Sequence, residues 1–209
     1  DFFWGLNGII PFLLSGNVKT ILWVYDFVFL RYPKTMDIFP RVYRRINFNW
    51  WCYRANFKFC ISTFTQDELY NLYGIDADGV IHCGIDPSYR YIENKNTNDK
   101  KDYVILGTLE PRKNLKMLLR AIAEVVRQNR WPEGEMLLII GSKGWRESEF
   151  DADLVLLEDH GIVKRMGYLP IEAVVRILRS SRGLLMPSLY EGFGMPVAEA
   201  IAIGCPVFC

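Results

Sequence analysis

Histidine is nearly missing from this chain of 209 residues, which has only His82 and His160. Its five cysteines, Cys52, Cys60, Cys83, Cys205 and Cys209, nowhere stand in C-x-x-C spacing. A zinc site asks for about four clustered ligands, and a disulfide framework is dense and even-numbered in a short secreted chain, so neither pattern fits. Reduced thiols, a cytoplasmic setting and no metal are therefore expected. Long apolar runs are lacking too: the stretch 21–30 carries Asp26 and falls well short of the roughly 18 to 20 residues that span a bilayer. The first residues show neither the basic segment nor the apolar core of a signal peptide. No charge sign dominates, because 25 Lys and Arg against 24 Asp and Glu leave a formal net charge of +1. A global attraction to nucleic acid or anionic lipid is thereby excluded.

Several chemical motifs are absent as well. The chain contains no G-x-G-x-x-G, no G-x-x-x-x-G-K-[ST], no G-x-S-x-G and no H-E-x-x-H. Dinucleotide oxidoreductase, P-loop NTPase, serine hydrolase and zinc protease all lose ground. No cysteine has an obvious His partner, so a thiol nucleophile is unsupported.

What is present is apolar substance: 50% hydrophobic and 14% aromatic residues against 23% charged. That balance builds a core, which excludes a disordered tail or a solvating linker. The run 21–25 reads as a buried parallel strand ending at Asp26. Apolar residues at three- and four-residue steps over 38–57, among Arg41, Arg44, Arg45 and Arg54, predict an amphipathic helix with one basic face. This helix, with Trp50 and Trp51, suits either internal packing or peripheral contact with a membrane surface, and packing is the favoured reading. Residues 57–61 read as a strand, Ser62 or Thr63 as the cap of a helix that Gly74 ends, and 80–83 as a short strand.

Between 89 and 102 the chain turns polar and aperiodic, Glu93-Asn-Lys-Asn-Thr-Asn-Asp-Lys-Lys-Asp102, which predicts a linker between domains at 1–88 and 103–209. After it, strands and helices alternate regularly: strands at 103–106, 136–140, 163–166, 183–186 and 206–209, helices at 114–129, 154–161, 170–179 and 196–203. Such alternation implies an α/β architecture, a parallel sheet with helices on both faces. The aromatic opening Asp1-Phe2-Phe3-Trp4 and the strand-like ending Cys205-Pro-Val-Phe-Cys209 are read as cut ends, so both domains are expected to be incomplete and the piece inactive by itself.

In open parallel sheets ligands sit beyond the carboxyl ends of the strands. Three loops qualify. Gly107-Thr-Leu-Glu-Pro-Arg112-Lys113-Asn114 puts a glycine and two adjacent cations before a helix, a pattern suited to a diphosphate or to a merely exposed cationic pair. Pro187-Ser-Leu-Tyr-Glu191-Gly192-Phe193-Gly194-Met195-Pro196-Val-Ala-Glu199 leaves backbone amides uncluttered before a helix that Pro196 is expected to begin. Its two carboxylates suit the hydroxyls of a sugar nucleotide, or are simply favourable charges near a helix N-terminus. Gly141-Ser142-Lys143-Gly144-Trp145 suits a base or hexose, or is only a turn.

The segment 183–207, with PSLYEGFGMPVAEAIAIGCPV as its core, closely resembles the signature of the retaining GT-B-fold glycosyltransferases of family 4. Gly107 to Asn114 is similar to that family's diphosphate loop. Weaker similarity continues upstream through Ile61-Ser-Thr-Phe-Thr-Gln-Asp-Glu-Leu69, Val80-Ile-His-Cys-Gly-Ile-Asp86 and Tyr25-Asp26. The resemblance implies two Rossmann-like domains facing a cleft, with the acceptor bound by the first and a nucleotide-diphosphate sugar by the second.

Arg112 and Lys113 would hold the donor diphosphate and the leaving nucleoside diphosphate without a metal or other cofactor. Glu199 would bind the ribose, Glu191 with Gly192, Phe193, Gly194 and Met195 the transferred hexose, and Gly107, Gly167 and Tyr168 would border the nucleotide. Tyr25 and Asp26 fall on the acceptor side, where many relatives carry His-Asp. The implied reaction is hexosyl transfer with retention to a saccharide or lipid-linked acceptor, with a mannosyltransferase weakly favoured, in polysaccharide or glycolipid assembly at the cytoplasmic face of a membrane. Nucleic acid is not an expected partner. The alternatives are a non-catalytic sugar-nucleotide-binding or scaffold module with the same fold, or a phosphorylase, for which no pyridoxal-phosphate lysine is identifiable.

Overall fold

A computed structural model describes residues 1–90, 100–142 and 151–209. Most of the expected linker and the residues Lys143, Gly144 and Trp145 lie outside the described residues. By internal contact the chain divides into two units, Asp1–Gly84 with Tyr190–Phe193, and Ile85–Leu189 with Gly194–Cys209.

In the first unit the strands β1 (Phe2–Gly5), β2 (Lys19–Val24), β3 (Phe57–Cys60) and β4 (Gly79–Val80) form a parallel sheet in sequential order. Strand β1 is unforeseen, because its aromatic run has no alternation to reveal it; it pairs with β2 from Phe2 against Lys19 to Gly5 against Leu22. The predicted strand at 80–83 shrinks to a two-residue bridge, with Val80 opposite Cys60. Three helices complete the unit, α1 (Val28–Arg31), α2 (Ile38–Arg54) and α3 (Thr63–Tyr73).

Helix α3 begins and ends where its chemistry dictates. The Ser62 hydroxyl accepts from the Thr65 amide at 3.0 Å, and Gly74 closes the helix in the left-handed region at φ 63°, an economical stop because glycine has no Cβ to strain.

Leu22, Val24 and Cys60 point from one face of the sheet into a core with Phe27, Phe29, Phe48, Trp51, Cys52 and Leu69. Helix α2 buries Phe48, Trp51 and Cys52 there, while Ile38, Phe39, Val42 and Ile46 face solvent. The expected basic face is thus interrupted by apolar residues, and Arg41 and Arg54 turn to the backbone carbonyls of Pro33 and Leu14. Glu68, buried in α3, receives both Nε and Nη2 of Arg31 at 2.7 and 2.6 Å, the two-pronged geometry that a guanidinium offers a carboxylate.

The second unit is a five-stranded parallel sheet built from β5 (Tyr103–Leu106), β6 (Leu137–Ile140), β7 (Val163–Gly167), β8 (Gly183–Leu185) and β9 (Val207–Phe208), in the spatial order β7-β6-β5-β8-β9. Its helices are α4 (Leu115–Arg127), α5 (Asp151–Asp159), α6 (Ile171–Ser180) and α7 (Met195–Ala202). These elements agree with the predicted alternation to within a few residues. The two-residue periodicity of a strand sorts them into layers. Ile105, Leu137 and Ile139 project into the core with α4 and α5, whereas Val104, Leu138 and Ile140 project into the opposite core with α6 and α7. Strand β9 pairs with β8, Leu184 opposite Val207 and Leu185 opposite Phe208. Pro196 occupies the second position of α7, after Met195, and not the first.

The order reverses beside β5. Strand β6 continues on one side and β8 on the other, so the loops after β5 and β8 diverge to opposite faces and open a crevice at the carboxyl ends. The approach there is close. Gly107 and Gly141, just beyond β5 and β6, have φ values of 129° and 150°, and a Cβ on Gly141 would overlap the Gly107 carbonyl. Gly141→Ala should therefore lose more than about 2 kcal/mol of unfolding free energy, from positive-φ strain and overlap with backbone; urea titration is the check.

A second expectation concerns the free thiols of Cys52 and Cys60, which burial pushes up to about 12. An unfolded thiol ionises near about 8.5, so the folded state retains protons that the unfolded state releases, and stability should fall as pH rises from about 8.5 towards 12. At pH 8 iodoacetamide should spare both thiols in the native protein and modify both in urea, as read by peptide mass spectrometry.

Candidate functional site

The crevice beside β5 is a pocket of about 390 Å³ wholly within the second unit. Each carboxyl-terminal loop contributes to its lining: Gly107 and Thr108 after β5, Gly141 and Ser142 after β6, Tyr168 and Leu169 after β7, and Met195, Pro196 and Glu199 at the start of α7.

The course of the loop after β5 has local causes. Pro111–Lys113 forms a 3-10 helix, and Asn114 then takes the left-handed conformation at φ 55° before α4 starts. This turn brings the Lys113 side chain over Gly107, with Cε 3.6 Å and Nζ 3.8 Å from where a Cβ would stand. A Cβ at residue 107 would stand in van der Waals contact with the end of the Lys113 side chain. Arg112 is largely buried and pairs with Glu110, while its carbonyl accepts from the Leu189 amide at 2.9 Å. The loops after β5 and β8 are thereby tied together by their backbones.

Glu199 sits one turn into α7, half-buried in the pocket wall. Burial raises its pKa, a hydrogen bond with the Tyr89 hydroxyl opposes that rise, and the charge of Asp86 adds to it. Gly194 caps α7 in the left-handed region at φ 81°. Gly167, also left-handed at φ 68°, passes its carbonyl to the Gly141 amide at 2.9 Å and turns the chain towards exposed Tyr168.

Of the residues singled out from sequence, Gly107, Gly141, Ser142, Tyr168, Met195, Pro196 and Glu199 line this pocket, and Lys113 lies over Gly107. Arg112, Gly167 and Gly194 support its loops. Glu191, Gly192 and Phe193 are not in its wall; with Tyr190 they belong to the first unit. There the Gly192 carbonyl accepts from the Ser62 hydroxyl at 2.5 Å and from Thr65 Oγ1 at 3.3 Å. A Cβ on Gly192 would overlap the Tyr25 carbonyl, so this glycine is required by close approach. The buried Tyr190 hydroxyl accepts from the Phe27 amide at 3.1 Å, and Phe193 lies 5.6 Å from the His82 ring.

Tyr25 and Asp26, at the end of β2, are engaged locally. The Tyr25 hydroxyl donates to the Leu6 carbonyl, and burial, then the nearby Cys83, raises its pKa. Asp26 Oδ1 accepts from the Val28 amide at 3.1 Å, closing a turn into α1.

Sequence reading gave no site role to Tyr89 and Leu169 in the pocket wall, or to Thr65 and His82 against the 190–193 segment, whereas Thr108 lies within the loop that it singled out. Ser62 was visible only as a helix cap; nothing local shows that the same hydroxyl meets a carbonyl 130 residues away.

Residues 90–209, more than half of the chain, match the family model described as glycosyl transferases group 1. The chain is 29% identical over 162 residues to the O-antigen chain mannosyltransferase B of Escherichia coli, a match covering 71% of this chain and 42% of that protein. It is 30% identical over 159 residues to the D-inositol 3-phosphate glycosyltransferase of Rhodococcus jostii (strain RHA1), covering 70% of this chain and 35% of that one. The chain thus spans less than half the length of these relatives.

Among solved structures, HepE of Anabaena, crystallised with UDP and glucose, superposes with a TM-score of 0.70 at 17% identity, over 91% of this chain and 52% of that one. WaaG, a glycosyltransferase involved in lipopolysaccharide biosynthesis, gives 0.67 at 17% identity, over 92% and 59%. With two parallel-sheet units of the GT-B type and the family's match across its second half, the chain belongs to the glycosyl transferases group 1.

Proposed function

We propose that the whole protein transfers a hexose from a nucleotide-diphosphate sugar to a saccharide or lipid-linked acceptor, with retention at the anomeric carbon. The observation that carries this reading is the pocket at the strand-order reversal, where an ammonium lies over a glycine and a carboxylate stands one turn into a helix. Phosphate oxygens suit the first group and vicinal hydroxyls the second.

In this reading Lys113 and Arg112 stabilise the negative charge that develops on the diphosphate as the bond from the anomeric carbon to its oxygen breaks. Two fixed cations do this without a metal or other cofactor. Glu199 accepts hydrogen bonds from the ribose, and the backbone around Gly167 and Tyr168 borders the base. Glu191 with Gly192, Phe193, Gly194 and Met195 positions the hexose. The acceptor oxygen attacks the face from which the diphosphate departs, and a phosphate oxygen takes the acceptor's proton.

Tyr25 and Asp26 stand on the acceptor side. Tyr25 cannot become cationic near neutral pH, so it serves as a hydrogen-bonding and packing group. The Escherichia coli relative's name favours a mannose donor. Among the described residues no helix is long and apolar enough to cross a membrane. The exposed Ile38, Phe39, Val42 and Ile46 on α2 beside Arg45 support peripheral contact with a cytoplasmic membrane face, the site of a lipid-linked acceptor in polysaccharide or glycolipid assembly.

The test uses the full-length protein. GDP, UDP and their sugar conjugates are titrated by thermal shift, where a ligand at one hundred times its dissociation constant adds about 2.7 kcal/mol of stability. Lys113→Ala should abolish the response to the preferred nucleotide, and Lys113→Ala and Glu191→Ala should each lower sugar transfer at least about 100-fold. Nucleotide binding with no transfer to any saccharide or lipid-linked acceptor would instead identify a binding or scaffold module. Transfer should also persist in excess EDTA; loss of activity that Mg²⁺ or Mn²⁺ restores would overturn the metal-free mechanism.

A further inference from the structure

Tyr89 stands at the end of a short 3-10 helix, Pro87–Tyr89, which Asp86 caps by accepting from the Ser88 amide at 2.8 Å. The turn is fastened to α6 as well, because Arg179 Nη2 donates to the Arg90 carbonyl at 2.7 Å. Its ring is 6% exposed and packs into the core beneath α6 and α7, with Val174, Leu178 and Ala200. A phenylalanine would fill that space equally well. The hydroxyl has a partner, however: it bonds to Glu199, and both residues line the same 390 Å³ pocket.

A buried phenol must find an acceptor or forfeit its hydration, and an ionised carboxylate is the strongest acceptor a protein offers. A carboxylate has about four acceptor positions, so the bond from Tyr89 leaves Glu199 free to receive two ligand hydroxyls. Without it, Glu199 would lose a bond that selects one of its staggered conformers at the pocket wall. Burial and the neighbouring Asp86 both work against its ionised form, and Tyr89 is the group that opposes them.

We propose that Tyr89 is a positioning residue for the nucleotide: its hydroxyl fixes the Glu199 carboxylate in the orientation that receives the 2′- and 3′-hydroxyls of the ribose. This rests on the reading of Glu199 as the ribose acceptor. Discrimination between ribose and dideoxyribose then depends on a residue that itself touches no sugar.

The experiment measures dissociation constants of UDP and GDP, and of their 2′,3′-dideoxy counterparts, by calorimetry on the full-length protein as wild type, Tyr89→Phe, Glu199→Gln and the double variant. Tyr89→Phe, with an unchanged thermal midpoint, should weaken the ribonucleotide about three- to tenfold, the range for a single ordinary hydrogen bond, and leave the dideoxynucleotide unaltered. Glu199→Gln should lose the discrimination, and the double variant should be no worse than Glu199→Gln alone.

Equal weakening of both nucleotides by Tyr89→Phe, or additive losses in the double variant, would show that Tyr89 serves only the fold and would overturn the proposal. So would full discrimination in Tyr89→Phe where Glu199→Gln has lost it, an outcome that leaves the ribose role of Glu199 standing. Discrimination retained in Glu199→Gln, or a wild type that binds neither diphosphate, would instead bring down the ribose reading and the role of Tyr89 with it.

Discussion

The close approach of the backbones just beyond β5 and β6 is the constraint on which the second unit's pocket depends. Two glycines with positive φ allow the Gly107 carbonyl to lie where any side chain on Gly141 would intrude. The Gly107 amide meanwhile donates to the Ile140 carbonyl and the Gly141 amide to the Gly167 carbonyl, each at 2.9 Å. Three loop origins are thus joined by main chain alone, with no dependence on side-chain rotamers. Lys113 lies over Gly107, its Cε and Nζ 3.6 and 3.8 Å from where a Cβ would stand. A floor of backbone with a cation above it suits an anionic ligand whose charge grows during reaction.

Glycine is used differently in the segment 190–193. Gly192 is held by close approach: its carbonyl receives two hydroxyls, from Ser62 and Thr65, and its Cα faces the Tyr25 carbonyl. Ser62 therefore has three engagements, with the Thr65 amide, the Thr65 hydroxyl and the Gly192 carbonyl. A residue that looks like an ordinary helix cap fixes the backbone next to Glu191 as well. Two glycines a single residue apart, Gly192 and Gly194, have separate causes: the first admits a neighbouring backbone, the second supplies the left-handed turn that starts α7.

Much of this was legible in the order of residues. The alternation from Tyr103 onwards, the Ser62 cap, the Gly74 stop and the loops beyond Leu106 and Met186 all rest on short-range chemistry, that is, on periodicity, capping and glycine's conformational freedom. The aromatic strand β1 was not legible, because Phe2, Phe3 and Trp4 carry no polar alternation and only pairing with β2 declares it. Pro196 shows the finer margin: proline is accepted at either of the first two positions of a helix, where its missing amide has no intrahelical partner to lose.

The sequence by itself determined the α/β class, the two-part organisation of motifs and the identity of the charged and glycine-rich loops, because each depends on neighbours within a few residues. Tertiary structure alone decided which of those loops share a pocket. The order β7-β6-β5-β8-β9 sends the chain from β7 past two strands before it pairs again, and that choice follows from how two apolar faces are covered by helices. It also decided that Glu199 meets the hydroxyl of Tyr89, 110 residues earlier in the chain. Such a contact depends on α7 and a 3-10 turn packing on one core, and local pattern carries no record of it.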